Sequence, residues 1–349
     1  MSVTVAYLGP AGTFTEAALW EFAHRGHLTT PVTDTKTMLD DATSGGGAGA
    51  EVGLEVGAGG APAASPADNV IPFPCTSPRE AISALRAGDA DYAVVAIENS
   101  VDGFVTPTFD ALDADGIQIY AELDLPIAFA MMMRPGMSLS EVTTVTTHPV
   151  AYQQVKTWLA DTIGEHTFVP ASSNAAAAQI VADGGADLAA APARSAELFH
   201  LTLVAENIAD VAGARTRFVV VGPTGMSPAP TGVDRTAVVF TLRNEPGSLV
   251  AALTEFAVRG VDLSRIESRP IENGLGTYRF HVDLNGHVTQ PMVAEALRAL
   301  YVRCESIKFL GSWPAAPTAS ERERQLHHNN HLLAEAEAWV SAAQTGRMT

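Results

Sequence analysis

The chain has 349 residues, 47% of them hydrophobic, and a formal net charge of -18. Its length suggests two or three structural units with substantial cores. The acidity argues against nucleic acid and anionic membranes as partners, because both need a basic footprint. No apolar run nears the roughly 20 residues that span a bilayer, and the start MSVTVAYLG enters a strand with no basic leader. The two cysteines, Cys75 and Cys304, fit neither a disulfide framework nor a zinc site. The expectation is a cytoplasmic protein with reduced thiols.

In chain order, Val3 to Leu8 reads as a strand and Glu16 to His24 as a helix. Residues 44–69 are nearly all Gly, Ala, Pro and small polar residues and cannot bury enough apolar area to offset their ordering entropy, so they read as a disordered surface insertion. A helix over Pro78 to Ala87 follows, with Ser77 as its cap, Pro78 at the first position and Glu80 three residues after the cap. Further strands are expected at Tyr92 to Ile97, Ile117 to Leu123, Ile127 to Met133, Val142 to Thr146, Asp187 to Ala191 and Phe218 to Val221, with helices at Pro149 to Ala160 and Ala175 to Ala182. This alternation is that of an α/β protein. The runs at 117–123 and 127–133 are too close for a crossover helix and read as the connection between two lobes.

Gly222 to Gly232, rich in proline and glycine, reads as a linker. Beyond it the spacing predicts a strand (Arg235 to Leu242), a helix (Pro246 to Val258), two strands (Asp262 to Ile271, Thr277 to Leu284), a helix (Thr289 to Leu300) and a strand (Ser306 to Leu310). That order is the ferredoxin-like βαββαβ module. The polar tail after it carries one amphipathic stretch, Leu332 to Val340, expected as a peripheral helix.

Four junctions in the first 200 residues carry small hydroxyl or amide residues where a strand gives way to a helix: Gly9 to Glu16, Glu98–Asn99–Ser100, Thr147–His148–Pro149 and Ser172–Ser173–Asn174. Each alone is an ordinary helix cap. Together, at the carboxyl ends of strands in an open sheet, they could converge on one anion. The Gly-rich start matches neither the dinucleotide fingerprint nor the phosphate-loop lysine pattern, and no nucleophile elbow joins Ser100 to His148. His327, His328 and His331 read as part of a solvated tail.

Tyr7 to Glu16, Ile97 to Ser100, Thr147–His148–Pro149 with Gln153–Gln154, and Thr216–Arg217–Phe218 resemble, in order, the signatures of prephenate dehydratases. Gly247 to Val250 and Glu267 to Pro270 resemble the effector motifs of that family's ACT domain, with Ser248 where alanine is usual. The resemblance implies an α/β fold with a two-lobed periplasmic-binding-protein-like catalytic region over residues 1–222, an ACT regulatory domain over 233–313 and a tail over 314–349. It implies conversion of prephenate to phenylpyruvate without cofactor or metal, with L-phenylalanine as effector and a homo-oligomer, dimer or tetramer, as the working form.

Carried over residue by residue, the resemblance puts Thr216 beside the leaving hydroxyl. Arg217, Phe218, Asn99 and Glu98 complete the catalytic group, with Arg217 either holding substrate or forming a salt bridge. Thr13, Phe14, Ser100, Thr147, His148, Gln154 and Ser173 would line the substrate site; Glu98 and His148 are its titratable members, each open to a structural or an acid–base role. The effector site would use Asn244, Gly247, Ser248, Leu249 and Val250 with Glu267, Ser268, Arg269 and Pro270. Two other readings fit the pattern: the same enzyme chemistry on arogenate, and a non-catalytic regulator that senses an anion or amino acid.

Overall fold

The computed structural model describes residues 2–29, 66–211, 213–271, 278–316 and 335–346. Lobe 1 opens with β1 (Val3–Leu8) and α1 (Phe14–His24), then β2 (Val70–Cys75), α2 (Pro78–Ala87), β3 (Tyr92–Asn99), the short β4 (Gly103–Phe104), α3 (Thr106–Leu112) and β5 (Ile117–Pro126). The chain crosses to lobe 2, which contains β6 (Ala130–Met133), β7 (Thr144–Thr147), α4 (Pro149–Gln153), α5 (Lys156–Thr162), β8 (Thr167–Pro170), α6 (Asn174–Ala182), β9 (Leu188–Ala191), α7 (Arg194–Leu198) and β10 (Thr202–Glu206). It then returns to lobe 1 as β11 (Arg215–Pro223). The first sheet runs β2-β1-β3-β11-β5 and the second β10-β6-β9-β7-β8. Two crossings therefore join the lobes, and they meet where Ile127 N–H donates to the Ala214 carbonyl at 2.8 Å. This is the two-lobed arrangement of periplasmic binding proteins.

Local chemistry explains the elements. β1 is buried on both faces, with Val5 and Tyr7 against Leu19 and Phe22 of α1 and Ala6 in the core on the other side, as an inner parallel strand must be. α2 begins at Ser77, whose hydroxyl accepts from Glu80 N–H, and ends at Gly88, whose φ of +82° gives the left-handed cap.

The third unit comprises β12 (Asp234–Thr241), α8 (Ser248–Ala257), β13 (Leu263–Pro270), β14 (Tyr278–Asn285), α9 (Pro291–Arg303) and β15 (Ser306–Pro314). Its antiparallel sheet runs β13-β14-β12-β15, the expected βαββαβ topology. Val238 and Phe240 of β12 face α8 and α9, while Ala237 and Val239 face the other way and join Leu310 and Trp313 in one core with Ile117, Ile119, Val219 and Val221 of lobe 1. β15 comes so close to β5 that a Cβ built on Gly311 would lie 2.4 Å from the Ile119 carbonyl oxygen. At the centre of this seam is the buried carboxylate of Glu122, which accepts from Trp313 Nε1 (3.0 Å) and Ala316 N–H (2.7 Å) and pairs with Arg235 (3.0 Å). Asp283 lies 3.9 Å from Arg235 and pairs with Arg265 at 2.5 Å.

Several expectations need correction. Most of the Gly/Ala-rich stretch lies outside the described residues, but Pro66–Asn69 forms a 3-10 turn that leads into β2, a strand hidden in the sequence by Pro72 and Pro74. β2 is an edge strand, where proline's missing N–H is tolerated. The single helix expected from Pro149 to Ala160 is two, α4 and α5, broken at Gln154 and Val155. Strands β8 and β10 were not anticipated. The linker is tied down: Gln118 contacts Gly225 and Ser227 (3.3 and 3.2 Å), and the Pro228 carbonyl lies 3.0 Å from His287 Nε2. Helix is present at 335–344, so the beginning of the peripheral helix expected from Leu332 lies outside the described residues. No described helix is long and apolar enough to cross a membrane.

Candidate functional site

Thr216 and Asn99 lie opposite one another on the paired strands β11 and β3. The Thr216–Arg217–Phe218 motif is thus part of a strand, and Phe218 is a core side chain 1% exposed. Asn99 Nδ2 donates to Thr216 Oγ1 at 2.9 Å, and Thr216 is 6% exposed. The Asn99 amide cannot turn over without loss, because its Oδ1 accepts from the backbone N–H groups of Val101 (2.8 Å) and Asp102 (3.2 Å). A hydroxyl that accepts from an amide keeps its own proton for another acceptor. Thr216 is therefore a positioned donor.

Arg217 follows the salt-bridge reading. Its Nε donates to Asp124 Oδ1 at 3.0 Å, and Nη1 lies 3.4 Å from Glu98 Oε2. Burial works against its charge, but the carboxylates of Glu122, Asp124 and Glu98 outweigh this and raise its pKa above the ordinary arginine value. Ser100 stitches the end of β3 to β11: its N–H donates to the Arg215 carbonyl and its Oγ accepts from Arg215 N–H, both at 2.9 Å.

Lobe 2 reaches this group through Asp102, a residue the motif reading passed over. Its carboxylate accepts from Gln154 Nε2 at 2.9 Å. Gln154 is 4% exposed, and its buried Oε1 has no partner among the described residues. An orphaned buried acceptor calls for a partner that the described residues do not supply. His148 caps α4, its Nδ1 accepting from Val150 N–H at 3.3 Å. Burial holds its pKa below the ordinary histidine value, with Asp102 pulling weakly the other way. Asn174 gathers the neighbouring turns: its Oδ1 accepts from His148 N–H (3.3 Å) and lies 3.2 Å from Thr147 Oγ1, whose shorter bond, 2.7 Å, goes to the Ala190 carbonyl.

Other expected site residues serve the scaffold. Thr13 Oγ1 donates to the Leu8 carbonyl (3.0 Å) and accepts from Glu16 N–H (3.2 Å), so its hydroxyl is used within its own cap. The Glu16 carboxylate accepts from Gly12 N–H (2.6 Å), not from Thr13 N–H as in a capping box. Ser173 likewise caps α6 through Ala176 N–H. Phe14 packs edge-on against Phe129 of the interlobe crossing, ring centres 5.7 Å apart. Gly12 has φ +88° and approaches Ser195, Leu198 and Ala175 of lobe 2, and its carbonyl accepts from Ser195 Oγ at 3.1 Å.

The effector motifs lie on the regulatory unit but line different cavities. Gly247, left-handed at φ +82°, opens α8 after the exposed turn at Asn244, and with Ser248 it borders a cavity of about 890 Å³ that also includes Glu255, Arg259 and Arg303. Leu249 packs on the domain core and Val250 is exposed. Glu267 to Pro270 belong to β13, the edge strand, where Ser268 is exposed and Arg269 pairs with Asp110 of α3 at 3.3 Å.

A two-lobed α/β region with a polar cleft, fused to a βαββαβ regulatory module, defines the class of this protein. The prephenate dehydratase family model matches residues 59–225 and the ACT domain model residues 236–300. A prephenate dehydratase of Corynebacterium glutamicum is 50% identical over 346 residues, covering 98% of this chain and 97% of that protein. The crystal structure of prephenate dehydratase from Arthrobacter aurescens in complex with L-Phe superposes with a TM-score of 0.75 at 35% identity, covering 98% of this chain and all of that one. A structure described as GqqA, a quorum-quenching acylase, superposes with a TM-score of 0.70 at 26% identity, covering 90% of this chain and 98% of that one. The chain belongs to the prephenate dehydratase family.

Proposed function

We propose that this chain converts prephenate to phenylpyruvate, losing CO2 and water, as a cytoplasmic step of phenylalanine biosynthesis, and that L-phenylalanine inhibits it through the ACT unit. The observation that carries the catalytic reading is the Asn99–Thr216 pair, a hydroxyl oriented by an amide that is itself held by two backbone donors. Aromatisation of the ring supplies the driving force, so the protein must position the substrate and ease departure of the hydroxyl. Thr216 Oγ–H would donate to that leaving oxygen, and since a threonine hydroxyl is a weak acid, it acts by stabilising the developing charge.

With Arg217 neutralised by Asp124 and Glu98, the substrate's two carboxylates fall to backbone N–H groups at the starts of α1 and α6, one from each lobe. Gln154 Oε1 is available for a substrate hydroxyl. Effector regulation is supported by the L-Phe complex of the Arthrobacter relative. It is also supported by the separation of the two effector motifs within one chain, which a second copy meeting the open edge of β13 would bring together as a homodimer.

The test is turnover of prephenate and arogenate by the intact chain and by Thr216→Ala and Thr216→Ser. The alanine variant should fold normally and lose on the order of 10²-fold in kcat, with serine recovering much of it. Unchanged turnover by a folded Thr216→Ala would sink the assignment, and a preference for arogenate would change the substrate.

A further inference from the structure

A second cavity, about 830 Å³, opens between lobe 1 and the regulatory unit, outside the catalytic cleft. Arg79 and Arg86 reach it from α2; their seven-residue spacing puts them on one helical face, with Ser83 between. Arg269 and Arg279 reach it from the ends of β13 and β14. Among the described residues, the acids that line it are Asp110 and Asp113 of the α3 end, paired with Arg269 and Arg279 respectively. Among the described lining residues, four guanidinium groups against two carboxylates leave a charge of +2, in a chain whose net charge is -18.

Arg79 and Arg86 are exposed and make no ion pair among the described residues; Arg86 Nε donates to the Asp115 carbonyl at 3.1 Å. Between the charges the wall is apolar, formed by Ile82, Pro107, Pro270 and Ile271. Guanidinium forks match carboxylates in pairs, and an apolar wall suits a carbon skeleton more than a bare inorganic ion.

We infer that this cavity is a binding site for a small organic dicarboxylate. The +2 lining matches two carboxylates, and the α2 arginines provide the donors that the α3 aspartates do not occupy. The bound acid would bridge α2 of the catalytic lobe to the strand ends of the regulatory unit, next to Arg269 and Pro270.

Calorimetric titration of the full chain with succinate and with phthalate, and separately with inorganic phosphate, tests this. The same titrations are run on Arg79→Ala/Arg86→Ala and Arg79→Lys/Arg86→Lys variants, with prephenate kinetics as control. The expected result is saturable dicarboxylate binding that weakens about tenfold or more in the alanine pair and partly returns in the lysine pair. Prephenate kcat and KM should stay unchanged in both, so that failure here is distinguishable from failure of the catalytic reading. Dicarboxylate binding of equal strength in all three proteins would place it elsewhere and overturn the site. Absence of dicarboxylate binding to the intact chain would overturn it as well, and binding of phosphate alone would overturn the ligand class.

Discussion

Lobe 1 has two neighbours and holds them in opposite ways. Toward lobe 2 the contacts are sparse and part polar, part apolar: two chain crossings, the Asp102–Gln154 and Ser195–Gly12 hydrogen bonds, the approach of Gly12 to Leu198 and Ala175, and the Phe14–Phe129 ring pair. Toward the regulatory unit the contact is a continuous core, with Trp313 fully buried and Glu122 saturated by donors. Polar contacts across a cleft can be exchanged for ligand or water at little cost, whereas opening a packed core exposes its whole apolar area. The first seam suits a site that must admit substrate. The second makes lobe 1 and the regulatory unit a single mechanical body.

The largest test of that contrast is Trp313→Ala. Truncating a buried tryptophan costs about 3–5 kcal/mol, and the loss should appear as a lower melting temperature for lobe 1 and the regulatory unit together. Separate transitions, with lobe 1 unmoved, would show that the seam is a loose contact.

Next is His281, 1% exposed, which faces the Phe109 ring and lies 3.6 Å from the Asp113 carboxylate. Burial, then Arg265, Arg279 and Arg269, lower its pKa from 6.5 to about 3, with Asp283 opposing. The unfolded chain therefore binds a proton that the native chain refuses between those values. Stability from this residue is fully present above pH 6.5 and is lost toward pH 3, on the order of 1 kcal/mol per pH unit. Denaturant melts across that range should be flatter for His281→Leu than for the parent; parallel curves would contradict the assignment.

Smaller effects belong to the cleft. Asp102→Ala removes the acceptor for Gln154, worth about 1 kcal/mol, and should raise the KM for prephenate roughly fivefold with little change in melting temperature. A melting loss as large as that of Trp313→Ala would erase the distinction between the seams. Smallest of all, deleting 44–63 should leave turnover within error and stability within about 0.5 kcal/mol, because the composition of that stretch, mostly glycine and alanine, has little apolar area to bury. The deletion stops short of Ala67, which packs against the lobe 1 core.

The fold was legible wherever period and punctuation agreed. Ser77–Pro78 with Gly88 marks α2 at both ends, and the βαββαβ order follows from apolar spacing alone. β2 was not legible because its prolines argue against a strand unless it is known to lie at an edge, which only the tertiary arrangement supplies. The break at Gln154 and Val155 was missed because helical period continues through it. In the site, motif order pointed to Asn99 and Thr216. It could not separate Thr13 and Ser173, whose hydroxyls are used in their own caps, from residues free to meet a ligand. Asp102 has no motif signal. It matters only because a residue of the other lobe stands 2.9 Å away.

The position of Glu122 and Asp124 on β5 has one more consequence. Two residues apart on a strand, they share a face, one toward Arg235 and the other toward Arg217. Arg217 feels Glu122, and Asp283 in the regulatory sheet, where burial pushes its pKa up but Arg265 and then Arg235 outweigh it and hold it low, also feels Arg217. Charges of alternating sign thus run from the strand that carries Thr216 to the sheet that carries the effector motif, and most are shut away from solvent. Counter-ions do not reach such a row, so added salt cannot damp it as it damps surface pairs. Any influence that travels along it should be as strong in concentrated salt as in dilute buffer.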